Sequence, residues 1–438
     1  MNSSNYKLSD IAANEMFSYA RYTIESRAIP SMIDGLKPVQ RFYLYSSLVN
    51  SKRDFKKVSA VSGVVSDYGY QHGETSAAGA GQLMAATWSN NVCLVEGRGS
   101  FGTRQVQAAG AARYVYTRVS ENFEHYIKDL ELSPEHEDPE HTPPAYYLPV
   151  IPLVLANGAK GIATGFATNI LPRSVDSLKK ACRDYLSKGK IARRLPVEFP
   201  DFVGTTDYDK DADRFVCKGV FSRPTKTVIK ITEIPYGYDR EQYVKVLDKL
   251  EDDGLIFSYD DQCSMSGFQF EVKLKKNGSS NWTDEQVRKN FKLDKTHSEN
   301  ITVIGPNGEL RQYSDERELI VDFVRFRLGI LDKRIELALT EAEELDRWLR
   351  VKMEFITAVL DDEIVFKGKK KDQVAQQILD KTSALEHDTD RLLRLNIMTL
   401  TKEQVDELQA QLKENKTVIK YWKTTTAEAQ FEEDLDNL

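Results

Sequence analysis

Tyr114 directly follows Arg113, a short way beyond the glycine-spaced run Gly97-Arg98-Gly99-Ser100-Phe101-Gly102. From Arg98 through Ser120 the chain carries four arginines, Arg98, Arg104, Arg113 and Arg118, and no acidic residue. A phenol titrates near pH ~10 and is a weak nucleophile at neutral pH. A guanidinium beside it favours the phenolate, and its fork of N–H donors matches a phosphate. The pairing points to a tyrosine that attacks phosphodiesters.

The surrounding charge supports an anionic ligand. The chain of 438 residues has a formal net charge of -7, which argues against a protein that simply coats nucleic acid. Residues 37–57 nonetheless hold Lys37, Arg41, Lys52, Arg53, Lys56 and Lys57 against Asp54 alone. Only local charge meets a phosphate, so this amino-terminal part reads as the ligand side. Residues 401–438, with five lysines against nine acids, read as solvated surface.

Other chemistries fit less well. Gly97-x-Gly99-x-x-Gly102 matches the dinucleotide-binding fingerprint in letters, and a helix is expected after it. That fold also needs a second apolar strand carrying an acid about 20 residues on. Residues 111–119 offer arginines there instead, so the glycines are read as letting the backbone turn tightly and approach a phosphate chain. His136 and His141 lie among Glu135, Glu137, Asp138 and Glu140, but Pro139 interrupts any helix and the spacing fits no zinc motif. Asp207, Asp209, Asp211 and Asp213 resemble a calcium loop whose sixth position is Ala212 and whose twelfth is Lys218, so it fails where geometry is strictest. Both segments read as acidic surface loops. His72, in Tyr70-Gln71-His72-Gly73-Glu74, reads equally as a buried structural histidine or as a phosphate donor at the start of a helix. Cys93, Cys182, Cys217 and Cys263 form no CxxC pair, which fits reduced thiols in a cytosolic protein. The start lacks the pattern of a signal peptide, and prolines break the most apolar window, Tyr146 to Ile170.

The elements that must position Tyr114 are legible as a mixed α+β, multidomain chain. Residues 8–29 read as an amphipathic helix ending before Pro30. Val39 to Asn50 reads as a second helix with Pro38 near its first position. Thr75 to Trp88 reads as a helix and Asn91 to Glu96 as a short strand before the glycine run. Short helices, a strand and basic turns over residues 30–149 suit a winged-helix or helix-turn-helix module. Residues 150–313 alternate strands with turns, as at Thr227 to Ile234 and Phe268 to Leu274, with a helix at Arg240 to Glu251. Thr283 and Gln286 have capping-box spacing. After Ser314 the apolar positions Ile320, Val324, Leu328, Leu331 and Ile335 step by three or four, and Val405, Leu408, Leu412 and Ile419 repeat the pattern. Residues 314–438 are therefore expected to form an out-and-back coiled-coil arm with a small helical head.

Taken together, six motifs are familiar in their order. They are Asp34-Gly-Leu-Lys-Pro-Val-Gln-Arg41, Tyr70-Gln-His-Gly-Glu74, Glu96-Gly-Arg-Gly-Ser-Phe-Gly102, Ala111-Ala-Arg-Tyr114, Gly161-Ile-Ala-Thr-Gly-Phe-Ala-Thr-Asn-Ile170 and Glu233-Ile-Pro-Tyr236. From about residue 10 onward the chain resembles the DNA breakage-reunion subunit of type IIA topoisomerases, the gyrase A and topoisomerase IV family, with a length like that of its phage members. The resemblance implies an ATP-dependent type II DNA topoisomerase in which Tyr114 leaves a 5′-phosphotyrosyl link. It implies that Arg113, Arg41 and His72 approach the scissile phosphate. Lys37 would contact the backbone, Ile170 would wedge between base pairs, and Thr75 would begin the helix that is drug-sensitive in bacterial members. Arg98, Arg104, Lys56 and Lys57 are added as basic residues near the tyrosine that would meet DNA.

The resemblance further implies a helical arm over residues 1–29, a winged-helix breakage-reunion domain over 30–149, a tower domain over 150–313, and a coiled coil with a dimerisation gate over 314–438. It implies a homodimer acting on double-stranded DNA in the cytoplasm of a phage-infected bacterium. Magnesium would be held mainly by the Toprim domain of an ATPase-bearing partner, which would also bind ATP, with no metal site in this chain. Relaxation and decatenation are expected rather than negative supercoiling. A non-catalytic DNA-bridging dimer is the alternative from another class.

Overall fold

A computed structural model describes residues 16–396 and 400–438. Contacts divide the chain into two units, Met1–Arg327 with Asp434–Leu438, and Leu328–Glu433. Every ladder between the described strands is antiparallel, so the chain is α+β. Among the described residues that arrangement leaves no pair of parallel strands for a dinucleotide fold.

The first unit begins with the helix Phe17–Thr23, continued by a π-helical turn at Ile24–Ala28. Residues 8–15 of the expected first helix lie outside the described residues. Pro38 occupies the first position of the helix Pro38–Asn50, where its missing N–H costs nothing. The Gln40 side chain accepts the Lys37 backbone N–H at 2.9 Å. The helix Glu74–Met84 packs on this one through Gly81, where an added Cβ would stand 2.1 Å from the Tyr43 ring. Tyr43 is fully buried and its hydroxyl pairs with Thr117 Oγ1 at 2.6 Å; burial pushes the phenol up to about 12.

A small sheet follows, ordered Lys56–Lys57, Tyr116–Val119, Val95–Arg98. The last strand starts later than Asn91 because the backbone of Val92 pairs with the Asn157 side chain instead, at 2.8 Å through both its N–H and its carbonyl. The helix expected after Gly102 does not form, and the next helix is Asn122–Tyr126. The intervening loop is tied to Gln82 and Ser100 instead.

Beyond the hairpin Ala159–Ile162 and Ala167–Ile170 lies a four-stranded sheet. Its order is Val220–Thr225, Val228–Glu233, Phe270–Leu274, Ile256–Asp261. Strand alternation turns Ile229, Ile231, Phe270 and Val272 inward, against Tyr243, Leu247 and Leu250 of the helix Arg240–Asp252 and against Val287 and Phe291. The Thr283–Gln286 capping box forms as expected, at 3.2 and 2.9 Å. Nearby, Arg173 is buried between Glu299 and Glu316.

In the second unit the helix Glu316–Leu360 continues, followed by Lys371–Lys381, Glu386–Leu393 and Lys402–Thr424. Leu349, Phe355 and Ile356 pack with Leu408 and Leu412, two positions of the second run read from the sequence. Asn415 donates from its side chain to the Ala342 carbonyl at 2.8 Å, fixing the register of the two long helices. Among the described residues no helix is long and apolar enough to cross a membrane.

One half-buried imidazole makes stability depend on pH. His297, at the end of the strand Asp294–His297, donates from Nε2 to the Tyr236 carbonyl at 3.1 Å, and burial lowers it to about 4. The unfolded chain binds that proton more readily, so the stabilisation is complete above pH ~6.5 and is lost as pH falls toward 4. We expect His297→Gln to flatten the fall in denaturant midpoint between pH 7 and pH 5. The partly exposed ring sets its size on the order of 1–2 kcal/mol.

A candidate phosphodiester-cleaving site

Tyr114 projects from a tight turn. Its N–H donates to the Ala111 carbonyl at 2.8 Å, and the two N–H groups opening the helix Val58–Gly63, those of Val58 and Ser59, take the carbonyls of Val115 and Ala112. Gln82 holds the same loop through the Gly110 carbonyl at 2.6 Å. The backbone is therefore fixed on both sides while the phenol is 68% exposed. The Arg113 guanidinium lies 4.7 Å from the centre of the Tyr114 ring, a cation–π contact that keeps a positive charge beside the phenol.

The sheet extends this charge. Arg98 and Lys57 both pair with Tyr116, so a row of Arg98, Tyr116 and Lys57 crosses the three strands two residues from Tyr114. Lys56, Lys57 and Arg98 are exposed. Phe55 supports the row, with Arg98 at 5.8 Å and Arg118 at 4.7 Å from its ring centre. Arg118 is also neutralised by Glu96 at 2.7 Å. The close space over Gly97 is filled by the Phe101 ring, 2.5 Å from where a Cβ would stand. That glycine serves the fold of the loop rather than the approach of a ligand.

His72 and Thr75 sit at the start of the helix Glu74–Met84, where Thr75 is exposed. The Tyr22 hydroxyl lies 2.5 Å from His72 Nε2, and Tyr70 packs its ring edge-on at 5.4 Å. Among the described residues no hydrogen bond or ring contact joins His72 to Tyr114. Lys37 reaches across to the hairpin and donates to the Lys160 carbonyl at 2.6 Å, and burial lowers its ammonium.

Three expectations need correction. Arg41 is buried, not poised at a phosphate: Nε and Nη2 grip Asp34 at 2.8 and 3.0 Å, and Nη2 also donates to the Leu36 carbonyl. The same carboxylate accepts the N–H groups of Leu36 and Tyr147, so Arg41 holds the Asp34 turn together. Arg104 is also buried and points away from the surface row. It pairs with Glu233 at 2.9 Å and lies among Phe202, Tyr236 and Phe268. Ile170 is 2% exposed and faces the core, a setting unlike the exposed one a wedge needs, whereas Ile162 in the neighbouring strand is 89% exposed. The signal missed is local: Leu171 and Pro172 follow Ile170 into the core, whereas Ile162 sits among Gly161, Ala163 and Gly165 at a turn.

No group of three or more His, Cys, Asp or Glu among the described residues is placed to hold a metal ion. His136 and His141 do approach, at 3.3 Å between ring nitrogens, but His136 Nδ1 already accepts the Asp138 N–H. Asp209 accepts the N–H groups of Asp211 and Ala212, closing the acidic turn on itself.

The family model for the A-subunit of DNA gyrase/topoisomerase IV matches residues 27–436. The DNA topoisomerase medium subunit of Enterobacteria phage T4 is 43% identical over 100% of both chains. DNA topoisomerase 2 of Plasmodium falciparum is 27% identical over 98% of this chain, which spans only 34% of that enzyme. The crystal structure of the Plasmodium falciparum topoisomerase II DNA-binding, cleavage and re-ligation domain superimposes with a TM-score of 0.87 at 28% identity, over 98% of this chain and 63% of that one. With a fixed, exposed tyrosine stacked by an arginine on a basic sheet, the chain belongs to the DNA gyrase/topoisomerase IV A-subunit family and is the DNA-cleaving subunit of a type II DNA topoisomerase.

Proposed function

We propose that Tyr114 is the nucleophile of a transient double-strand break through which a second duplex passes. Its oxygen attacks a backbone phosphorus. The phosphotyrosyl bond forms as the bond to the 3′ oxygen breaks, the phenolic proton is released, and the 3′ oxygen leaves as a hydroxyl. One phosphodiester replaces another, so resealing needs no ATP. Arg113 moves with the ring it stacks on and neutralises charge developing on the phosphoryl oxygens. His72 donates to the same phosphate once Tyr22 yields its place. Lys37, Lys56, Lys57, Arg98 and Thr75 hold the DNA backbone.

The observation that carries this reading is the combination of a 68%-exposed phenol with a rigid turn and a stacked guanidinium. It is tested by incubating the chain with duplex, an ATPase-bearing partner and magnesium, then trapping with denaturant and sequencing the DNA-linked peptide. The link should map to Tyr114 and the 3′ ends should extend with a polymerase. A link elsewhere, or blocked 3′ ends, refutes it.

Type II topoisomerases use magnesium and ATP. In this reading both are bound by the partner's Toprim and ATPase domains, and relaxation and decatenation follow from that complex in the cytoplasm of a phage-infected cell. Residues 30–149 are the winged-helix breakage domain, 150–313 the tower, and 314–438 a coiled-coil arm whose head closes a homodimer. Two copies of Tyr114 then cut the two strands.

The wedge role passes from Ile170 to Ile162. Inserting an apolar side chain between base pairs trades a few kcal/mol of stacking for a kink. We expect Ile162→Ala to lower the bent fraction of a dye-labelled duplex and to reduce adducts roughly tenfold, about 1.4 kcal/mol. Ile170→Ala instead empties a core site and should lower stability by about 2–5 kcal/mol with little effect on bending.

A further inference from the structure

Another basic cluster in the first unit lies where the wedge hairpin meets the strand Asp294–His297. Lys160 pairs across the hairpin with Asn169, whose side-chain amide donates to the Ser298 carbonyl, next to His297. Asn169 and Asn300 exchange backbone hydrogen bonds at 2.9 and 3.0 Å, so hairpin and strand are one braced piece. On the strand, Lys295 and His297 alternate onto one face. A Cβ placed on Gly237 would stand 2.9 Å from Lys295 Nζ and 3.4 Å from His297 Cε1. Lys295 donates to the Gly237 carbonyl at 2.5 Å and lies 4.0 Å from the centre of the Tyr238 ring. Burial, and then the charge of Lys160, lower its ammonium. Lys37 joins from the other side through the Lys160 carbonyl.

Three acids of the surrounding segments are already engaged. Asp294 holds Arg288, Glu299 holds Arg173, and Glu233 holds Arg104. Lys160 and Lys295 are thus close enough for their charges to repel, Lys37 is bonded to the Lys160 backbone, and among the described residues none of the three has an ion pair, an arrangement that favours a bound anion. Lys160 is two residues before Ile162 on the same strand, so both side chains leave the same face of the hairpin, and both are exposed.

We propose that Lys160, Lys295 and Lys37 seat a backbone phosphate of the duplex beside the wedge, so that phosphate capture and insertion of Ile162 are one event. This rests on the reading that the chain binds and bends DNA. A phosphate at this seat pulls on the braced hairpin, and the wedge is carried on the same two strands. The seat thereby converts sequence-independent attraction into a bend at a fixed distance from the phosphate.

The test uses the full chain with its ATPase-bearing partner, a duplex labelled at both ends, and salt between 50 and 200 mM, roughly the range in which counterion release dominates. Lys160→Gln should reduce the slope of log affinity against log salt by about one, and Lys160→Gln with Lys295→Gln by up to about two. Both should lower the bent fraction, while Ile162→Ala lowers the bend and leaves the slope intact. Unchanged slopes in variants whose circular dichroism matches the parent overturn the seat, and a reduced slope with normal bending overturns the coupling. If inorganic phosphate raises the melting temperature of the parent but not of the double variant while DNA slopes are equal, the ligand is free phosphate and the proposal fails. Cleavage is read separately at Tyr114: predicted slopes and bends without any adduct would uphold the seat while removing the cleavage reading.

Discussion

Tyr114→Phe should abolish covalent protein–DNA adducts while leaving duplex binding within about twofold of the parent. The large effect follows from chemistry: without the phenolic oxygen nothing in the turn can form the phosphoester. Removing a nucleophile from a preorganised site lowers rates by roughly 10⁴–10⁶. The small effect follows from structure. The ring keeps its place over Arg113 in the variant, because the contact is to the ring face, 4.7 Å from its centre. The turn is held through backbone groups of Ala111, Ala112 and Val115, which the substitution does not touch. Salt dependence should be unchanged, since no cation is lost. If the chain acts as a homodimer, mixing parent and variant should give heterodimers that nick one strand. Persistent adducts in the pure variant would move the nucleophile elsewhere. Loss of binding along with adducts would mean that the substitution had disturbed the turn itself. Arg113→Lys sharpens the result: a point charge cannot stack as guanidinium does, so cleavage should fall with binding largely kept.

The nucleophile was legible because its signal is local. Four arginines without an acid over residues 98–120 describe a charge field that short-range folding preserves. Proline at a helix start, the Thr283–Gln286 box and the three-four stepping of the long helices are also short-range rules, and those elements appear where expected. What could not be read were roles decided by distant partners. Arg98 and Arg104 look alike in sequence, yet one lies on the sheet surface and the other meets Glu233, 129 residues away. Arg41 lies in a basic stretch, but the turn beside it places Asp34 within reach, and a carboxylate already in place captures the guanidinium before any ligand does. Ile162 and Ile170 occupy one hairpin whose register pairs Ile162 with Ala167 and Ile170 with Ala159. That register puts the two isoleucines on opposite faces, and the sequence marks the exposed one only by the small residues around Ile162. The helix expected after Gly102 failed for a similar reason, since the loop there is tied to Gln82 and Ser100 rather than to its own next turn.

Arg104→Ala separates the two fates of a basic residue most clearly. A surface phosphate contact removed this way would change stability by about 0.5 kcal/mol or less and reduce the salt slope by about one. The structure leads to the opposite expectation. Arg104 donates to Glu233 at 2.9 Å and to the carbonyls of Asp201 and Ile234 at 3.0 and 3.3 Å, with three aromatic rings within 5.5 Å of its guanidinium carbon. Truncation leaves Glu233 buried with only the N–H groups of Val203 and Ile234. An uncompensated buried carboxylate of this kind costs about 3–5 kcal/mol. Burial already pushes the Glu233 carboxyl up, and losing the Arg104 charge that opposes this raises it further, so the variant should take up a proton at higher pH than the parent and recover part of that loss as pH falls. The denaturant midpoint should therefore fall most at alkaline pH and less as pH is lowered, while the salt slope for DNA stays as in the parent. Glu233→Gln in the Arg104→Ala background should restore part of the midpoint and remove its pH dependence, because a neutral amide needs no counter-charge. A reduced salt slope with an unchanged midpoint would return Arg104 to the DNA surface.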